Sequence, residues 1–258
     1  TGQESRASTS AGSASNDLTL DGNFNTENWD AVSGAGLYNV YKESNGIYGY
    51  IGGTEGLTFT DDNIIPDLSN TPPKAENPFA GTDQYPSALA FHEQRLFFSR
   101  TRETPNGIWS SQSADFENLD RSRPAKADEA IAQALVGRRV NAINQIVSST
   151  SLIALTSDGI FSIVGTDNDV LTPSGSFLPQ RQSARGASRL RPVEIDDVVF
   201  FQPALGSRVR ALNYSFEADG LVSNDITIFS PHFFEGDKIK AWAYQTEPYS
   251  CVWAVMAS

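Results

Sequence analysis

Four stretches of this chain repeat one design at nearly even spacing, and that repeat constrains the fold more than any other feature. They are "SALAFHEQRLFFS" with "GIWSS", "NAINQIVSSTSLIALTS" with "GIFSIVG", "RPVEIDDVVFFQP" with "RVRALNYS", and "KAWAYQTEPYSCVWAVMA". Each joins a short alternating strand to a turn and a second, more continuously apolar strand. With Ala88, Ala142, Pro192 and Ala241 taken as equivalent, the steps are 54, 50 and 49 residues. All-strand units of this length fit the blades of a β-propeller. A sheet that is apolar on both faces is stable only with neighbours stacked on each side. That requirement accounts for the runs "RLFF", "LIALT", "VVFF" and "CVWAV". The expected blade-core anchors are Leu96, Phe97, Trp109, Leu152, Phe161, Phe200, Trp242 and Trp253. No signature such as a WD dipeptide recurs. Residues 85–258 hold three and a half such units, and a closed ring takes roughly four to eight blades. The expectation is an incomplete ring, with more blades beyond Ser258 or in a larger assembly.

The first third of the chain is built differently. Residues 1–16, "TGQESRASTSAGSASN", are small and polar and read as a linker or the end of a preceding module. From Leu18, short runs with aromatic or β-branched alternation are each bounded by Gly, Asn or Asp. The Asn45-Gly46 pair between two of them signals a hairpin. This density of strands suggests a small β-sandwich over residues 17–70. Prolines at 66, 72, 73 and 78 then mark an extended linker, residues 71–84, with a domain boundary near Thr71–Ala80. The fold class expected is therefore all-β: a sandwich followed by propeller-type blades. "KADEAIAQALVG", Lys126 to Gly137, is the sole helical candidate, since Ile131 and Leu135 are four apart and Gly137 can stop a helix; a strand approach is the alternative.

Composition narrows the chemistry. The net charge of −12 is uneven: residues 1–80 carry 3 basic and 11 acidic side chains, whereas residues 95–210 carry 14 and 12. The overall sign argues against tight general binding to nucleic acid, which needs phosphate neutralisation. One cysteine, Cys251 in the apolar "SCVWAVMA", leaves no internal disulfide or Cys-rich zinc site and is expected as a buried thiol. No apolar run reaches the ~18 residues of a membrane-spanning helix. With neither an initiator Met nor a signal peptide, the chain reads as an excised or processed segment.

Candidate catalytic groups do not combine. His92 and His232 are not spaced to pair with each other or with a nucleophile, and packing or turn roles are expected for both. G-x-S-x-G, H-E-x-x-H and P-loop patterns are missing, and the "GAG" at 34–36 opens no helix. The acidic pairs Asp61–Asp62, Asp128–Glu129, Asp167/Asp169 and Asp196–Asp197 could be read as glycosidase carboxylates, yet each lies in a turn signal, where Asp bonds its own backbone. "TDNDVLTPSG" offers clustered oxygen ligands without the Gly and distal Glu of a calcium loop. "SDGIFS" only partly echoes the sialidase-type S-x-D-x-G-x-x-W box. No catalytic, cofactor or metal residue is assigned. The arginines are more informative. Arg181, Arg185, Arg189 and Arg191 crowd into "RQSARGASRLR", and Arg95, Arg208 and Arg210 lie on or beside expected strands. They serve either intramolecular salt bridges or a subunit interface, where arginine is enriched.

Several stretches, in order, resemble the tail nozzle (tail tubular protein B) family of short-tailed bacteriophages, also known as phage stabilisation-like proteins. They are "YNVYKESNGIYGYIG…TFTDDNIIPDLSNTPP", similar to the fibronectin-type-III-like module of that family, then "YPSALAFHEQRLFFSRTRETPNGIWSSQSADFENLD", "VNAINQIVSSTSLIALTSDGIFSI", "VFFQPALGSRVRALNYSFEADGLVSNDITIFSPH" and "WAYQTEPYSCVWAV". The opening "ESRAS" resembles the end strand of a preceding module, and the family continues past the last stretch, so both ends look truncated. The resemblance implies a virion structural protein that is not an enzyme and uses no cofactor or small-molecule substrate. It would assemble in the host cytoplasm into a homo-oligomeric ring of the tail. There it would meet adaptor, portal and tail-fibre proteins, retain packaged DNA and conduct it during ejection. Two other readings remain open: a secreted glycan-binding propeller using Trp109, Trp242 or Trp253 as sugar platforms, and a glycosidase-like propeller.

Overall fold

The computed structural model describes residues 4–9, 12–14, 16–137, 141–166, 170–173, 175, 177–234 and 236–257. The chain is all-β, built from small antiparallel sheets, with no α-helix among the described residues. It divides into two compact units, residues 1–76 with 120–129 and residues 77–119 with 130–258.

The first unit holds three two-stranded pairings. Strand β1 (Asn25–Asn28) pairs with β4 (Thr58–Asp61), and β2 (Tyr38–Ser44) with β3 (Ile47–Thr54). Strand β5 (Thr71–Lys74) pairs with β9 (Arg121–Arg123). Asn45 (φ 54°) and Gly46 (φ 80°) both adopt the left-handed conformation that a tight hairpin turn demands. None of this unit's described Val, Leu, Ile, Phe, Tyr or Trp side chains is fully buried. A tilted aromatic pair, Trp29–Tyr38 at 5.6 Å, and an edge-on pair, Tyr41–Tyr50 at 5.8 Å, supply a thin apolar layer. Carboxylates supply the rest. Glu4 accepts from Asn39 Nδ2 (2.8 Å), Tyr41 Oη (2.6 Å) and Lys126 Nζ. Asp61 accepts from the Ile64 amide at 2.8 Å and pairs with Lys42 at 2.7 Å. Buried Glu129 accepts the amides of Ser122 (2.9 Å) and Lys126 (3.0 Å).

Two expectations are corrected here, and one open alternative is decided. The proline-rich segment 71–84 is not all linker: Thr71–Lys74 is a paired strand, because its partner β9 is edge-only and tolerates missing proline donors. Within the segment expected as a linker or module end, described residues 4–9 are pinned where Glu4 and Arg6 meet Lys126 and Asp120. Lys126 to Gly137 forms no helix. Its first part ends the excursion that carries β9, and its second part becomes β10 (Ala132–Ala134).

The second unit contains three four-stranded antiparallel meanders. The first sheet comprises β6 (Ala88–His92), β7 (Arg95–Ser99), β8 (Gly107–Ser110) and β10, so the β9 excursion interrupts it between its third and fourth strands. The second comprises β11 (Ile143–Ser148), β12 (Leu152–Thr156), β13 (Ile160–Val164) and β14 (Leu178–Ser183). The third comprises β15 (Val193–Ile195), β16 (Val198–Phe201), β17 (Arg210–Ser215) and β18 (Gly220–Asp225). A two-stranded hairpin follows, β19 (Lys238–Gln245) with β20 (Cys251–Ala257).

Pleating decides how these sheets pack. Successive side chains on a strand point to opposite faces. From β12, Leu152 and Ala154 join Phe97, Ile108, Ile146 and Ile163 in one buried cluster shared with the first sheet. Ile153 and Leu155 join Val147, Ile160, Val199, Phe201 and Leu212 in another, shared with the third sheet. Every residue of β12 is buried. Burial of a large apolar side chain is worth about 1.5–3 kcal/mol, so this one strand anchors two interfaces.

Of the expected core anchors, Phe97, Leu152 and Phe161 are buried, while Leu96, Trp109, Phe200 and Trp242 are half-buried. Trp253 is corrected: it is 64% exposed, because β20 pairs only with β19 and its outward face meets no further sheet among the described residues. Cys251, at the start of the same strand, is half-buried and not a core thiol.

Gly186 sits where the connection from the second to the third sheet crosses the β12–β13 turn. A Cβ there would lie 1.9 Å from the Ser157 carbonyl oxygen and 2.3 Å from its carbon. Both are backbone atoms and cannot rotate away. Gly186→Ala should therefore destabilise the protein by about 1–3 kcal/mol, the usual cost of overpacking. Urea denaturation followed by tryptophan fluorescence measures it, and an unchanged midpoint would contradict the close crossing.

Candidate functional site

The connections between sheets are stitched by backbone hydrogen bonds at one end of the second unit. Ile143 N donates to Pro105 O (2.9 Å), and Ser157 N to Ala142 O (3.0 Å). Ala187 N donates to Thr156 O (2.8 Å), Ser188 N to Gln202 O (2.8 Å), and Ala204 N to Gly186 O (3.0 Å). Segment 184–191 is thus held on both sides by the turns of adjacent sheets. With its backbone committed inward, its long side chains are left at the surface.

This segment and the end of β14 carry the arginines singled out by the sequence, and the structure divides them. Arg181 and Arg185 line a groove of about 420 Å3 between the edge strands β14 and β18, with Gln182 and Ser223. Arg181 donates to the Asp158 carbonyl at 3.0 Å, and Gln182 Oε1 accepts the Leu221 amide at 2.8 Å. On the other rim lie Asp219 and Ser223, and Ser223 Oγ accepts from Arg210 at 2.7 Å. Arg189 lies toward Arg100, which donates to Asn144 Oδ1 at 2.8 Å, while Asn144 Nδ2 in turn holds the Ala187 carbonyl at 2.8 Å. Arg191 accepts through its carbonyl from Trp242 Nε1. Arg185, Arg189 and Arg191 are exposed and form no ion pair with a described carboxylate. Of the other two, Arg208 pairs with Asp225 at 3.2 Å, and Arg95 is buried against the Ser111 carbonyl at 3.0 Å.

The electrostatics show that these charges crowd. Burial, and then the neighbouring Arg189, push the Arg100 guanidinium below its ordinary pKa. Burial, and then Arg185, do the same to Arg210 against an opposing pull from Asp225. Like charges kept together at a half-wet surface suit an anionic partner.

The other candidates resolve into structural roles. Asp61 and Glu129 serve backbone amides, as described above, while Asp196 and Asp197 form the exposed β15–β16 turn. Asp167 and Asp169 lie outside the described residues. Among the described residues, no group of three His, Cys, Asp or Glu side chains could hold a metal. His232 is in a short 3-10 turn, Pro231–Phe233, against the Phe233 ring at 4.2 Å.

One constellation escaped the sequence reading. Buried His92, ending β6, places Nδ1 2.9 Å from Ser148 Oγ at the end of β11, and Nε2 3.7 Å from Glu93 Oε1. Serine, histidine and carboxylate echo a nucleophilic triad, but Glu93 gives its other oxygen to the Leu171 amide at 2.8 Å. The arrangement works as a clasp between the first and second sheets. No signal in the sequence points to it, since His92 and Ser148 are 56 residues apart.

No protein-family model matches this chain, and no curated protein matches it in sequence.

The clasp makes stability depend on pH. Burial lowers the His92 pKa from its ordinary 6.5, partly opposed by Glu93. The unfolded chain then binds the proton more readily, so this stabilisation is complete above about pH 6.5 and is lost as pH falls toward the lowered folded value. The melting temperature should drop between about pH 7.5 and about pH 5.5, and His92→Gln should flatten that slope while keeping a hydrogen-bonding side chain. Parallel melting curves for both proteins over that range would contradict the clasp.

Proposed function

We propose that this chain is a structural part of a bacteriophage tail, of the nozzle type, and that it conducts DNA without carrying out a reaction. One observation carries the reading: three four-stranded meanders, at steps of about fifty residues, pack face to face in the same order as the stretches that resemble that family. On this reading the three sheets and the terminal hairpin are propeller-type blades, and the first unit is the fibronectin-type-III-like module. The protein sits in the virion as a homo-oligomeric ring against adaptor, portal and fibre proteins, after assembly in the host cytoplasm. A net charge of −12 suits a conduit through which phosphates slide without adhering.

A second reading draws on the terminal hairpin, where Tyr249 is 79% and Trp253 64% exposed. Exposed aromatic faces can stack on sugars, and a glycan-binding module would present them so.

Electron microscopy of the purified protein mixed with portal complexes of its phage separates the two. The tail reading expects rings attached to the portal, and antibody labelling of the tail on intact virions. Isolated monomers that bind a glycan array, with no label on virions, would replace it with the second reading.

A further inference from the structure

The groove between β14 and β18 has a polar lining that the packing of the sheets does not use. Strand β14 reads "LPQRQS" and β18 "GLVSND", in contrast to the wholly buried β12. Gln182 crosses from one wall to the other. Its Oε1 accepts the Leu221 amide at 2.8 Å and passes close over Gly220, where a Cβ would stand 2.8 Å from the same oxygen. That bond ties the two walls together, so the groove is formed before any ligand arrives. Its volume of about 420 Å3 falls within the roughly 300–1,000 Å3 of small-molecule sites.

The lining holds two guanidinium groups, Arg181 and Arg185, and one carboxylate, Asp219. Arg185 and Asp219 share the groove yet form no ion pair with each other. Tyr214 Oη donates to Asp219 Oδ1 at 2.9 Å, which leaves Oδ2 without a partner among the described residues. The Arg185 guanidinium, the Gln180 amide and Gln182 Nε2 are unpartnered in the same sense. Arg181 spends only Nη2, on the Asp158 carbonyl at 3.0 Å. Arg185 also presses on Arg210, whose guanidinium is held by Ser223, so a negative charge in the groove would relieve both.

These groups select a ligand by exclusion. A bare anion would suit the guanidinium groups but be repelled by Asp219. A neutral sugar would offer hydroxyls to Asp219 and the amides but leave Arg185 unpaired. A compact molecule with one carboxylate and several hydroxyls answers both demands. Its carboxylate takes the forked donors of an arginine, and its hydroxyls donate to a carboxylate and exchange bonds with side-chain amides. We propose that this groove binds an acidic sugar of the uronic-acid class, with Arg185 holding the sugar carboxylate and Asp219 accepting from a hydroxyl. Gln180 and Gln182 bond the remaining hydroxyls. The groove shares no lining residue with the terminal hairpin that carries Tyr249 and Trp253, so the inference rests on neither reading given above.

Calorimetric titration of the whole chain with D-glucuronate, D-glucose, sulfate and glutamate tests it. Glucuronate should bind saturably, at least about ten-fold tighter than glucose, which lacks the charge, or sulfate, which lacks the hydroxyls. Arg185→Gln should weaken glucuronate about ten-fold. Asp219→Ala is the sharper test, because its sign differs between ligands: it should weaken glucuronate about three-fold or more and strengthen sulfate. Trp253→Ala should change neither. All three positions are exposed, and circular dichroism and melting establish that each variant is folded. No saturable binding of glucuronate would overturn the proposal, and so would glucose binding as tightly. Tighter glucuronate binding in Asp219→Ala would overturn it by assigning the groove to inorganic anions, and glutamate binding as tightly as glucuronate by assigning it to amino acids. Binding lost in Trp253→Ala but kept in Arg185→Gln would move the sugar to the hairpin and overturn it as well. Rings on portal complexes would leave each of these outcomes unaffected, so this inference and the tail reading fail separately.

Discussion

The second sheet of the larger unit lies between two others, and the rest of that unit depends on its being apolar on both faces. Strand β12 alternates its side chains between two clusters, with Leu152 and Ala154 on one side and Ile153 and Leu155 on the other. A single small sheet of this composition would expose one greasy face to water. In series, each sheet covers the next, and the backbone bonds from segment 184–191 to both adjacent turns fix the spacing at one end. This is how a repeat of short strands becomes one core without long helices or disulfides.

The smaller unit is held by another kind of interaction. Its buried groups include the carboxylates of Asp61, Asp120 and Glu129, each bound to amides or cations, and Glu4 ties the start of the chain to β2 and to the 120–129 excursion. Burial alone would raise the Glu4 carboxyl, but bonds from Lys126, Tyr41 and Asn39 outweigh it and leave it below its ordinary value. The larger unit inverts this economy, with two apolar clusters packed between its sheets. The arginines of segment 184–191 stay at the surface while Gly186, Ala187 and Ser188 give backbone bonds to the turns beneath.

Much of this was legible in the residues. Apolar runs such as "LIALT" and "VVFF" carry their own demand for cover on both sides, and Asn45-Gly46 specifies its turn chemically. Other features were hidden for identifiable reasons. Ile131 and Leu135, four apart, share a face in a helix, but an even spacing also puts them on one side of an extended chain, and the chain is extended there. Strand β9 leaves no pattern in the sequence because it is three residues long and its partner contains two prolines. Trp253 sits in a run that looks doubly covered, yet among the described residues β20 has one partner strand. The crowding in "RQSARGASRLR" was visible, but not which arginines lack a carboxylate, since Arg208 finds Asp225 17 residues away. The groove that brings Arg181 and Arg185 beside Asp219 exists only after strands distant in sequence are folded together.

Native-state hydrogen exchange, read strand by strand, tests the serial packing most directly. If the second sheet is clamped between its neighbours, the amides of Ile153 to Leu155 and their partners on β13 should exchange slowest in the chain, through global unfolding alone. Those of β19 and β20 should exchange through local opening at a far lower free energy. Equal protection across the three sheets and the hairpin, or a β12 that opens as readily as β20, would contradict the account.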